Sequence, residues 1–196
     1  MPPLLPATQA LLLANVAIFF LGQLLGSGLL STFELWPIGG EFRPWQIVTY
    51  SFLHANFNHL FFNMLGLWMF GAELERIWGP KRFLQFYFAS VLTAAGAQLV
   101  VTGLMGSAFP TIGASGGLFG LLLAFGMMFP NRIIMPLFPP IPMKAKVFVA
   151  VFGALELVFG FTGGGGVAHF AHLDGMHGGF LMIRYWRGQA PFSRRR

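Results

Sequence analysis

Residues 111–129 read TIGASGGLFGLLLAFGMMF: a short polar entry, a serine set among glycines, then an apolar run ending at Phe129. The run has the composition of a membrane helix but is short and glycine-rich. It is therefore expected to lie among other helices or to span incompletely, since a full crossing takes roughly 20 apolar residues. Around it, 56% of the 196 residues are hydrophobic and only 9% are charged, with a mean hydropathy of +0.69. Soluble domains average about 25% charged residues, so this chain cannot clothe itself for water.

Six stretches are apolar enough to cross a bilayer: about 9–30, 52–72, 83–104, 113–130, 146–162 and 167–186. The expected fold is an all-α polytopic bundle of six transmembrane helices. It forms one membrane domain over 1–196, with its core at about 42–187 and a basic tail at 187–196. The first run is too long for a signal-peptide core and has no charged segment before it, so it reads as the first span. Cysteine is absent, which excludes disulfides, a thiolate nucleophile and Cys-ligated metal.

The net charge of +6 would suggest nucleic acid in a soluble protein. Here the basic residues sit in loops: Arg76, Lys81 and Arg82, then Arg132, Lys144 and Lys146, then Arg184, Arg187, Arg194, Arg195 and Arg196. Only Arg43 falls on the other side, so eleven of twelve place both termini in the cytoplasm. The expected partner is the lipid bilayer, with no nucleic acid, and the expected location a bacterial inner membrane. Of the two long connections, 31–51 carries interfacial aromatics and 130–143 carries five prolines. The second is expected to be a linker.

Polar groups inside spans are costly, so each is a candidate for function. All five histidines (His54, His59, His169, His172, His177) lie in spans two and six or at their ends, and Asn63 joins them. Spans two, four and six run in the same direction. That places His59, Ser115 and His172 at similar depth, roughly 5–10 Å below the surface at 1.5 Å per residue. His59 and Asn63, four apart, share a face. His172, Gly175 and Gly179 form one stripe, and Gly116 and Gly120 another, which lets helices four and six approach closely. Ser115 and His172 then form a nucleophile and its general base. The helix start at Ser115, helped by His59 and Asn63, can hold an oxyanion.

These segments resemble the rhomboid family of intramembrane serine proteases. Gly113-Ala114-Ser115-Gly116 looks like its GxSG motif, and Ala171-His172 with Gly175 and Gly179 like its AHxxGxxxG motif. The stretch from His54 through His59 to Asn63 resembles its second-helix signature. Pro44-Trp45-Gln46, and Glu73 to Arg76 with Gly79, add two further family features. The resemblance implies a Ser115–His172 dyad, with oxyanion assistance from His59, Asn63 and the Ser115 amide. It also implies transmembrane protein substrates, neither cofactor nor metal, and a gating fifth helix at about 146–162 with a hinge near Gly163 to Gly166.

Gly113, Gly116 and His54 are expected to support the site, and Phe119, one turn beyond Ser115, to pack on the His172 ring. Asp174 and His177 depart from the family pattern. Asp174 lies about 200° around the helix from His172 and is expected to face away. Glu156 in span five has no assigned role beyond an interhelical hydrogen bond. Two alternatives stand beside proteolysis. One is an inactive relative that binds membrane segments; the other is a histidine-based metal or haem protein. The second finds no HExxH motif, no carboxylate near the histidines except Asp174, and no use for Ser115.

Overall fold

The computed structural model describes residues 4–137, 140–162 and 168–188. Its architecture is an all-α membrane bundle. Helix α1 runs Pro6–Leu25, with Pro6 in its first turn, and ends where Gly26 adopts φ 86°. A short α2 (Ser27–Leu30), a 3₁₀ turn (Ser31–Phe33), α3 (Gln46–Thr49) and a second 3₁₀ turn (Tyr50–Phe52) make up the long connection. Buried Gln46 pins this segment. Its amide donates to the carbonyls of Thr32 and Glu41, and its oxygen accepts from the N–H groups of Trp36 and Arg43.

Helix α4 (Phe57–Gly66) is capped by Asn56, whose Oδ1 accepts the His59 N–H at 2.9 Å. A π-helical turn (Leu67–Gly71) carries it without a break into α5 (Ala72–Met105). Gly79 breaks α5 at φ 73° and Pro80 restarts it, so two long helical segments meet at a corner. Hydropathy places a loop at 73–82, whereas nearly all of it is helical. Apolarity measures the part in lipid, and the charged ends of a helix continue beyond it. Helices α6 (Ser115–Met128), α7 (Ala145–Thr162) and α8 (Ala168–Trp186) fall within about two residues of their expected limits. Between α6 and α7 the expected linker contains a two-stranded antiparallel ribbon, β1 (Ile133–Ile134) with β2 (Met143–Lys144). Pro130, Pro136, Pro140 and Pro142 lie outside its strands instead of interrupting them, and Pro139 lies outside the described residues. The expected hinge at Gly163 to Gly166 and the arginines at 194–196 lie outside the described residues.

The glycine faces place α6 between the second half of α5 and α8. A Cβ on Gly116 would lie 2.5 Å from Ala94 Cβ, and one on Gly117 would lie 2.6 Å from the Tyr87 ring. On the other side, a Cβ on Gly175 would strike the Gly116 backbone, and one on Gly179 would lie 3.3 Å from Gly120 Cα. Small residues here do in lipid what Leu packing does in water: they let backbones touch. Phe83, Phe86 and Tyr87 fill the centre, while Leu24, Leu104 and Phe161 point outward with three quarters or more of their surface free. That inverted surface suits hydrocarbon.

At the basic end, Glu73 bridges Arg76 at 2.7 Å and Arg132 at 3.0 Å. Buried Glu75 caps the start of α1, accepting from the Ala7 N–H, the Thr8 N–H and the Thr8 hydroxyl at 2.7–2.9 Å.

Candidate active site

Ser115 is the first residue of α6, at the end of the bundle opposite the basic loops. Gly113 turns the chain into the helix at φ 132°, donating its N–H to Tyr50 O at 2.9 Å. A bridge between Leu35 and Thr111 and a 2.6 Å bond from Gln98 to Thr111 Oγ1 brace this approach. Tyr50 in turn donates its hydroxyl to Val91 O at 2.9 Å. The serine is therefore held by α5 and by the long connection, through its second 3₁₀ turn and Leu35. The first bond of α6 runs from Leu118 N to Ala114 O. Among the described residues, the amides of Ser115, Gly116 and Gly117 have no acceptor, which is the usual state of a helix start and favours negative charge there.

His172, one turn into α8, points its Nε2 at Ser115 Oγ across 2.7 Å. Its ring stacks flat on Phe119, with centroids 4.5 Å apart and planes 6° from parallel. The glycine contacts between α6 and α8 permit both approaches. The bond between Ser115 and His172 has the length expected of a hydroxyl donating to a neutral imidazole.

His59 lies across Gly113, where a Cβ would come within 2.8 Å of its Nε2. Ala55 N–H lies 3.5 Å from His59 Nδ1, at the outer limit of a hydrogen bond. Asn63 is buried one turn further along and donates to His59 O at 3.0 Å. Neither His59 nor Asn63 bonds Ser115 directly. His54, buried, meets the His59 ring edge-on at 5.0 Å. It also walls a cavity of about 370 Å³ together with Phe19, Leu30, Glu34 and Ile112. Burial raises the Glu34 carboxyl above the usual carboxylate range.

Asp174 is 41% exposed and lies 3.8 Å from His177. The carboxylate beside the histidines is a different one. Glu156 Oε2, from α7, lies 2.9 Å from His172 Nδ1 and 2.6 Å from His169 Nδ1. This corrects the expectation that Asp174 is the only carboxylate near the histidines. The sequence signal was a single acid in an apolar helix, which carries no information about its partner. Among the described residues, Glu156, His169 and His172 offer ligand atoms within 4.8 Å of one another, a grouping that could hold a metal ion.

A family model described as the rhomboid domain matches residues 41–188. The chain is 32% identical over 145 residues to "Rhomboid protease GluP" of Bacillus subtilis (strain 168), covering 70% of this chain and 25% of that protein. It is 30% identical over 152 residues to "Putative rhomboid protease YdcA" of the same strain, covering 76% and 70%. It is 26% identical over 185 residues to "Rhomboid protease GlpG" of Yersinia enterocolitica serotype O:8 / biotype 1B (strain NCTC 13174 / 8081), covering 92% and 62%. The chain thus spans about a quarter of the first relative's length and less than two thirds of the third's.

Proposed function

The chain belongs to the rhomboid family, and from that membership we propose that it is a serine endopeptidase acting on transmembrane segments within the bilayer. The observation that carries the reading is the 2.7 Å bond between Ser115 Oγ and His172 Nε2, formed between two helices of a membrane bundle. The Ser115 hydroxyl proton passes to His172 Nε2 as Oγ bonds the substrate carbonyl carbon. The oxygen that becomes negative lies at the α6 start, where the amides of that turn and the His59 Nε2–H are the donors, with Asn63 behind them. His172 then gives the proton to the leaving nitrogen, the C–N bond breaks, and an acyl group remains on Ser115. Water, activated by the same imidazole, releases it.

Substrates are segments with small or helix-breaking residues near the Ser115 end of the membrane, because an intact helix keeps its carbonyls in its own hydrogen bonds. In this reading the protein lies in a bacterial inner membrane, and the basic loops support an orientation with both termini in the cytoplasm and the site toward the far side.

An inactive relative that only binds such segments is the competing reading. Purified protein in proteoliposomes, given a model transmembrane substrate, separates the two. The parent is expected to cleave, with Ser115→Ala and His172→Ala slower by about a thousandfold or more. Cleavage by neither parent nor variants supports the binding reading, and cleavage by Ser115→Ala at the parent rate contradicts the assignment.

A further inference from the structure

We propose that Glu156 is a positioning residue for the reaction, completing a Ser115–His172–Glu156 triad from a helix that carries no other acid; this rests on the proteolytic reading above. Three observations support it. Glu156 Oε2 is 2.9 Å from His172 Nδ1, while Nε2 of the same ring is 2.7 Å from Ser115 Oγ, so the three groups form one hydrogen-bonded line. The carboxylate is sheltered, with 14% of its side chain exposed beside imidazoles that are 17% exposed. Its placement is also costly in a span whose other interior residues are apolar, so packing alone does not account for it.

The chemistry follows from donor and acceptor inventories. An ionised carboxylate only accepts, so both neighbouring imidazoles must carry a proton on Nδ1. His172 Nε2 is then the unprotonated nitrogen and presents its lone pair to the Ser115 O–H. When His172 takes the serine proton it becomes a cation, and the adjacent carboxylate stabilises it without being protonated itself. His169 takes the second lone pair of Oε2 at 2.6 Å and helps to hold the carboxylate in place. These two imidazoles are the titratable groups facing Glu156 from α8, and α6 contributes none.

The line also ties α7 to the rest of the site. The buried residues of α7 are Ala145 and Phe148, both at the ribbon end. Toward the Ser115 end it meets α8 through apolar and ring contacts, Gly153 near Met176, Gly160 and Phe161 against the Phe170 ring, and Phe159 near the His169 ring. Among the described residues, the bonds to Glu156 are the polar tie there. Displacing α7 removes the group that fixes the His172 tautomer.

The test uses the full chain in detergent and in proteoliposomes, with Glu156→Gln compared against the parent and Ser115→Ala. Labelling of Ser115 by a fluorophosphonate is measured per folded molecule, and kcat and KM are measured on a model transmembrane substrate. A soluble triad loses about 10⁴ when its Asp becomes Asn. For Glu156→Gln the expected loss is about 10- to 1000-fold in both kcat and labelling rate, with KM within about twofold. Nitrogen-edited NMR of the parent is expected to show His172 protonated on Nδ1, with a low-field proton that disappears in Glu156→Gln. The parent spectrum decides the question even if the variant does not fold: His172 protonated on Nε2 overturns the inference. Glu156→Gln labelling within twofold of the parent, while Ser115→Ala does not label, also overturns it and leaves proteolysis standing. Labelling of Ser115→Ala at the parent rate removes the underlying reading instead.

Discussion

Gly175→Ala is expected to separate the serine from its base without touching either. A Cβ at Gly175 would lie 2.9 Å from Gly116 C and closer still to Gly116 O. Ordinary contact begins at 3.4 Å, so the backbone of α6 must retreat from α8 by at least about 0.5 Å, and by more at the carbonyl. Gly116 follows Ser115 directly. The 2.7 Å bond to His172 lengthens by a comparable amount and reaches the edge of hydrogen bonding. Misplacement of a reacting group by about 1 Å costs on the order of 100-fold. The expected result is a 10- to 100-fold fall in fluorophosphonate labelling and in cleavage, with about 1–3 kcal/mol of overpacking strain seen as a lower melting temperature in detergent. A Gly175→Ala protein that labels and melts like the parent would refute the claim that backbone contact sets this distance.

Three further outcomes follow from other parts of the molecule. Phe119→Ala removes the flat stack on His172, worth about 0.5–1.5 kcal/mol, and is expected to slow cleavage by about 2- to 10-fold. Unchanged kcat would show that the ring is held without it. Glu75→Ala leaves three buried donors at the α1 start unpaired and is expected to lower stability by about 2–3 kcal/mol in reversible detergent unfolding. Activity per folded molecule stays at the parent value, and a loss of activity without loss of stability would contradict the capping role. A chelator is expected to leave cleavage unchanged; metal-dependent activity would reassign Glu156, His169 and His172 as ligands.

Local features made much of the candidate site legible in the sequence. The serine at the start of an apolar run, Phe119 one turn on, and the stripe of His172 with Gly175 and Gly179 are all fixed by helical spacing. Each keeps its place in the structure. Glu156 was visible but had no readable partner. Its contacts lie 13 and 16 residues away on another helix, so they depend on how α7 is rotated, which apolar composition does not encode. The same holds for Tyr50 and Gln98, whose bonds to Val91 and Thr111 cross between elements. Helix limits were readable to within about two residues for α6, α7 and α8, but the expected end of the first span at 30 overran Gly26, which stops α1 at Leu25, and the expected start of the second at 52 preceded Asn56, which caps α4 at Phe57. They were also misplaced across 73–82, where charged residues continue the helix around the Gly79 corner.

In the proposed reaction His172 makes the Ser115 hydroxyl nucleophilic within the bilayer. Peptide mass spectrometry after fluorophosphonate treatment of the protein in proteoliposomes reads that activation at the residue itself. The adduct is expected on Ser115 in the parent and absent from that residue in His172→Ala. An adduct on another residue, or equal labelling of Ser115 without the histidine, would contradict it.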